Sequence, residues 1–252
     1  MRYTSVMLTS IMLVGLLCVM SSDSHLIMWA GMELIMLGFI PFIVKHTHAS
    51  VYYFLIQAVG GMSFLAGWAT HTLLTISMLI KLGLFPFFAW VPPVISTMSW
   101  GAIFTLMTYM KIAPFYLTLH MWVPDYLMAL GIASAAFLGV TAMSWKNLLA
   151  YSSIGHTSWL VLSMYDVTLF IFLWVFYFVC MTPFARHQKN LVSLYMLSGL
   201  PPSPLFLGKC LIVIHAWTMY GMLPGFLLTF VAVSSYMYMR FFVYYLCVVS
   251  GL

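Results

Sequence analysis

The sequence predicts an all-α polytopic membrane protein, and three observations carry that prediction. Of 252 residues, 64% are hydrophobic. Only 9 Lys or Arg and 4 Asp or Glu are present, so 5% of the chain is charged against roughly 25% in average soluble chains. The apolar runs are continuous, whereas the strands of a membrane barrel alternate apolar and polar residues. A soluble globule is excluded because its surface needs far more charge. Disorder is excluded by the same composition. A spanning helix uses about 20 residues, so the length allows about ten spans. That leaves no room for a soluble catalytic domain, a nucleotide-binding fold or a receptor ectodomain. We therefore expect residues 1–252 to form a single transmembrane domain. The formal charge of +5 is dispersed along the chain and is no nucleic-acid signature.

Hydropathy and helix breakers place spans near 4–20, 26–44, 51–69, 72–90, 100–120, 126–144, 147–165, 167–184, 191–222 and 224–242. The first follows Arg2 and resembles a signal peptide, but Val19-Met20-Ser21 is a poor cleavage site, so it reads as a retained span. The second carries Glu33, and the third carries Gln57, a candidate for interhelical hydrogen bonding. Pro86 should interrupt the fourth, and Ala113-Pro114 should kink the fifth. In the sixth, Gly131, Ala135 and Gly139 form a small stripe for close helix packing. The seventh holds Tyr151-Ser152-Ser153-Ile154-Gly155-His156. Pro201-Pro202-Ser203-Pro204 should break the ninth, giving two broken helices in all. The cysteines, Cys18, Cys180, Cys210 and Cys247, lie singly in apolar stretches without metal or redox spacing, and read as packing residues.

Loop charges test the count. If loops alternate sides, one side receives Arg2, Lys45, Lys146, Arg186, Lys189 and Arg240, and the other Asp23, Asp125 and Asp166. That sorting follows the positive-inside bias, and one miscounted span would scramble it. It sets both termini on the basic side. Trp29, Trp90, Trp100 and Trp122 fall near span ends, where an aromatic belt would sit.

Four charges remain inside spans: Glu33, Lys81, Lys111 and Lys209. An ionisable group at mid-membrane costs about 2.5–3.5 kcal/mol on insertion scales, and more by simulation. A structural ion pair would account for Glu33 with one lysine and leave two lysines without an acidic partner in the chain. A charge or proton path accounts for all four. Lys81, Lys111 and Lys209 each lie close to a proline break, and irregular backbone in membranes is tolerated only against protein or water-filled cavities. His156 fits either a relay role or that of a buried, hydrogen-bonded histidine.

These residues resemble the subunit 2 family of respiratory complex I, the proton-pumping NADH:ubiquinone oxidoreductase, and more broadly its antiporter-like subunits. The resemblance rests on five stretches in order: Gly31-Met32-Glu33, Leu79 to Pro92 around Lys81-Leu82-Gly83, Lys111-Ile112-Ala113-Pro114, Ala150 to His156, and Ser198-Gly199-Leu200-Pro201-Pro202 with Lys209. It implies an antiporter-like fold in which Glu33 pairs with Lys81, Lys111 is the central relay and Lys209 the exit-side lysine. Departures fall at Phe88, where the family has His, at Pro93, where a charge is common, and at Pro204-Leu205-Phe206, where Thr-Gly-Phe is usual. Only one span precedes Glu33 and a last C-terminal span is missing, which resembles a reduced, mitochondrially encoded form. The implied location is the mitochondrial inner membrane, with both termini in the matrix. The implied partners are other membrane-arm subunits, including a neighbouring antiporter-like subunit and small membrane subunits, together with lipids. No cofactor is expected in this chain; NADH, FMN, iron–sulfur clusters and ubiquinone would be handled by other subunits. The alternatives are a non-pumping structural subunit of the same arm and a stand-alone cation/proton antiporter.

Overall fold

The computed structural model describes residues 2–44, 47–186, 191–220 and 223–250. Lys45, Lys189, both chain ends (Met1 and Leu252) and the side chain of Arg2, on which part of the charge sorting rests, lie outside the described residues. All regular structure among the described residues is helical. The chain divides into two compact units, Met1–Val123 and Pro124–Leu252.

The first unit holds α1 (Arg2–Ser21), α2 (His25–Ile43), α3 (Thr47–Ala66), α4 (His71–Leu82), α5 (Val91–Thr97), α6 (Trp100–Met107) and α7 (Ile112–Thr118). α1 and α2 run antiparallel at very short range. A Cβ on Gly15 would come within 2.7 Å of the Gly31 carbonyl, and one on Gly31 equally close to Gly15. Val19, Met32, Ile35, Phe64, Leu74, Met78, Ala113 and Leu117 form the buried core that ties α1, α2, α3, α4 and α7 together. Dispersion and tight packing hold such helices in lipid, where the hydrophobic effect gives little between spans.

The second unit holds α8 (Asp125–Val140), α9 (Trp145–Leu162), α10 (Val167–Ala185), α11 (Leu191–Ser198), α12 (Pro204–Tyr220) and α13 (Leu223–Ser250). The small stripe of α8 packs as its composition requires. Gly139 lies against Met237 of α13 and Tyr151 of α9, and Ala135 against Gly155. Ser144 caps α9 by accepting from the Asn147 amide, and Asp166 caps α10. The Thr168 hydroxyl, then its amide, hold the exposed Asp166 carboxyl below the usual carboxylate range. Connectivity sets Asp125 and Asp166 at one end of α8–α10 and Lys146 and Arg186 at the other. Arg240 joins the basic end, donating to the carbonyls of Val140 (2.6 Å) and Ala142.

The breaks differ in detail from the expected spans. The fourth helix stops at Leu82 because Gly83 takes φ +67°, open to glycine at no steric penalty. Leu84 N–H then bonds Leu79 O (2.9 Å) and Gly83 N–H bonds Ile80 O (3.2 Å), the pattern of a Schellman C-cap. Pro114 sits inside α7, and the interruption falls before it, in a 3₁₀ turn at Tyr109–Lys111. Proline has no N–H for the carbonyl one turn back, so the chain loosens there. Of the four residues Pro201 to Pro204, the last opens α12. α13 continues past residue 242 to Ser250, since no breaker follows Pro224 and Gly225 until Gly251. Trp90 is a buried strut and no belt residue: its indole donates to Ile80 O at 3.2 Å. By length and composition, His25–Ile43, His48–Ala66, Val167–Ala185 and Pro224–Tyr244 are each able to cross a membrane.

Candidate proton site

Three of the four charges expected inside spans lie in the first unit. Glu33 is on the second helix, two turns into α2, and Lys81 is in the last turn of α4. Their side chains form an ion pair, Nζ to Oε1 3.2 Å, with Lys81 only 4% and Glu33 18% exposed. α3 lies between them, antiparallel to both. Consecutive residues on a helix point about 100° apart, so Gly60 and Gly61 present different faces. Gly60 faces Lys81 (3.1 Å from its own missing Cβ to Cγ), and Gly61 faces Glu33 Oε1 and Trp29 Nε1. The pair therefore closes around a helix that carries no side chain at those two positions. Lys81 also occupies the C-terminal turn of α4, where helix carbonyls favour a cation.

The Gly61 arrangement makes a prediction. Gly61→Ala places a methyl group on Glu33 Oε1 and should force the carboxylate away from Lys81, lowering several-fold any proton transfer that runs through the pair. In a Glu33→Asp background the shorter carboxylate no longer reaches the methyl group, so Gly61→Ala should add nothing. Additive losses in that double-mutant cycle would show that Gly61 acts through helix packing instead.

Lys111 ends the 3₁₀ turn between α6 and α7, partly exposed. Helix regularity is lost just before it, with Thr108 at φ −114°, ψ −74°, and α7 resumes directly after it at Ile112. Ser77, one turn before Lys81 on α4, has a fully buried hydroxyl without a protein hydrogen-bond partner among the described residues.

In the second unit, His156 and Lys209 face one small cavity of about 30 Å³, lined also by Tyr151, Ser152, Tyr177 and Tyr238. That volume holds about two water molecules. His156 stacks on Tyr177 with ring centres 4.2 Å apart. Lys209 lies on α12 with its ammonium folded back over the end of α11, 2.7 Å from where Gly199 would carry a Cβ. Gly199 takes φ +67°, the same left-handed turn as Gly83. Each unit thus has a buried lysine near a helix end made by a left-handed glycine: Lys81 lies within the helix that Gly83 ends, and Lys209 lies over the one that Gly199 ends. Ser203, just before α12, caps it by accepting from Phe206 N–H.

Sequence reasoning singled out Glu33, Lys81, Lys111, His156 and Lys209 and missed Tyr177, Tyr238 and Ser77. The tyrosines reach the cavity from α10 and α13, far along the chain, and no local spacing marks them. Ser77 was readable at i−4 from Lys81. Gln57 is buried on α3.

Comparison with known proteins gives a consistent picture. Residues 68–186 match the family model described as NADH:quinone oxidoreductase/Mrp antiporter, TM. The chain is 32% identical to NADH-ubiquinone oxidoreductase chain 2 of Ailurus fulgens, over 90% of this chain and 81% of that one. It is 29% identical to the protein of the same name from Halichoerus grypus, over 93% and 83%. Among solved structures, a chain of respiratory complex I from Thermus thermophilus superposes with TM-score 0.82 at 23% identity, covering 94% of this chain and 69% of that one. The fold is antiporter-like.

Proposed function

Because the chain belongs to the NADH-ubiquinone oxidoreductase chain 2 family, we propose that it is a membrane-arm subunit of respiratory complex I that moves protons across the mitochondrial inner membrane. NADH oxidation and ubiquinone reduction take place in other subunits, and no redox group binds this chain. The Glu33–Lys81 pair at the end of a broken helix is the observation that carries the reading. With an effective dielectric near 20, opposite charges about 3 Å apart attract by roughly 5 kcal/mol. Moving one charge against 100 mV takes about 2.3 kcal/mol, so opening such a pair is large enough to gate a proton. When Glu33 swings away, the Lys81 ammonium loses its counter-charge and passes its proton on. Lys111 receives and relays charge as the next lysine of the first unit. His156 and Lys209, on their shared cavity, handle the proton in the second.

The same proposal reads the interrupted pairs α4–α5, α6–α7 and α11–α12 as one span each, making ten spans within one transmembrane domain. Lys146, Arg186 and Arg240 then face the matrix, as do the termini. Neighbouring membrane-arm subunits and lipid cover its exposed apolar surface.

The test is to isolate the assembly through this chain and reconstitute it in vesicles. NADH-driven quinone reduction accompanied by lumen acidification is the expected result. Co-isolation of no NADH-oxidising partner would overturn it.

A further inference from the structure

On α2, His25, Trp29 and Glu33 recur every four residues and so stack on one face. That face packs on α3. The His25 ring lies 5.9 Å from Phe64 and 5.2 Å from Trp68, and Trp29 Nε1 and Glu33 Oε1 converge over Gly61. His25 Nδ1 and Trp29 Nε1 are both buried without a protein hydrogen-bond partner among the described residues. His25 is the first residue of α2, two residues after the exposed Asp23. Each four-residue step rises about 6 Å. Unsatisfied polar atoms thus lead, turn by turn, from the end of the helix to the half-buried carboxylate of Glu33. Buried polar groups without protein partners are the ones that ordered water satisfies. The missing side chain at Gly61 lets the Glu33 carboxylate and the Trp29 indole come up against the α3 backbone at the inner end of the seam.

We propose that the α2–α3 seam is a hydrated proton connection between the Asp23 end of the first unit and the Glu33–Lys81 pair, with His25 as the proton-carrying residue at its outer end. The inference rests on the relay reading given above. A proton arriving over water binds the inward ring nitrogen of His25 while the other nitrogen releases its proton outward; the ring is restored by exchange of tautomers, and no electrons move. The Trp29 indole donates to that water and does not itself carry the proton. The carboxyl group of Glu33 gives up the proton to that water at the inner end, and the carboxylate is left to pair again with Lys81.

The experiment uses the assembled complex in vesicles carrying His25→Ala, with Glu33→Gln in parallel. We expect His25→Ala to lower NADH-driven proton pumping several-fold. Added 4-methylimidazole should restore it, and pyrazole, of similar shape but almost non-basic, should not. Full pumping by His25→Ala, or equal rescue by both compounds, would show that the ring only fills space and would overturn the connection. Loss with Glu33→Gln alone removes the His25 path and leaves the relay standing; normal pumping with Glu33→Gln removes the relay itself. If His25→Ala does not assemble, His25→Gln keeps volume and hydrogen bonding and should show the same loss. Density for the native complex then decides independently: ordered water between His25 and Glu33 supports the path, and a dry seam excludes it.

Discussion

Replacing Lys111 by Met is expected to slow NADH-driven quinone reduction and proton pumping together in a complex that still assembles. Met keeps much of the apolar stem and removes the ammonium. Lys111 sits in a 3₁₀ turn where helix hydrogen bonding is already interrupted, so the backbone has little regular structure to lose. Groups that transfer protons typically contribute about 10²–10⁴-fold to the step they serve. Transfer through this subunit should therefore fall at least about tenfold, and coupled turnover should follow as far as this step limits it. A lysine serving structure alone predicts the opposite, since replacing a largely desolvated cation by an apolar side chain is often neutral or stabilising. Normal pumping by an assembled Lys111→Met complex would remove the central relay assignment.

The second large effect concerns stability. Glu33→Gln leaves an ammonium that is 4% exposed without its carboxylate. Breaking a buried pair from one side costs about 3–5 kcal/mol, and the 18% exposure of Glu33 places this case toward the lower figure. Removing both charges, as Glu33→Gln with Lys81→Met, takes away the desolvation as well as the attraction and should recover most of the loss. Thermal inactivation of purified complex gives the order: wild type close to the double variant, both above the single. Pumping should be absent in both variants, which separates the role of the pair in folding from its role in charge transfer. A single variant as stable as wild type would show that the pair contributes nothing to holding α2 and α4.

Much of this architecture was legible in one dimension. Composition forces the chain into lipid, and lipid forces every backbone group into helices, so helix positions follow from runs and breakers. Gly83 with Pro86, and Gly199 with the prolines after it, mark where two helices stop. The extended last helix and the 3₁₀ turn before Pro114 were not legible at that precision. Breaker residues say that a helix is disturbed; which carbonyl is released depends on the neighbours that can satisfy it. Trp90 shows this well, because position near a span end reads as a belt and only packing shows the indole bonded to Ile80 O.

The candidate site divides along the same line. Sequence by itself determined which residues carry charge at mid-span, since a charge in an apolar run is costly wherever it ends up. The His25, Trp29 and Glu33 stripe lies in the same local periodicity, yet only the unpartnered nitrogens seen in the structure single it out. The tertiary structure decided which of these groups meet. That Glu33 closes on Lys81 depends on two neighbouring glycines of α3 standing aside, and that Tyr177 and Tyr238 join His156 and Lys209 depends on α10 and α13 packing on α9. Both are contacts between helices distant in the chain. Hydropathy and spacing cannot encode them, because rotating a helix about its axis changes its partners and leaves its pattern intact.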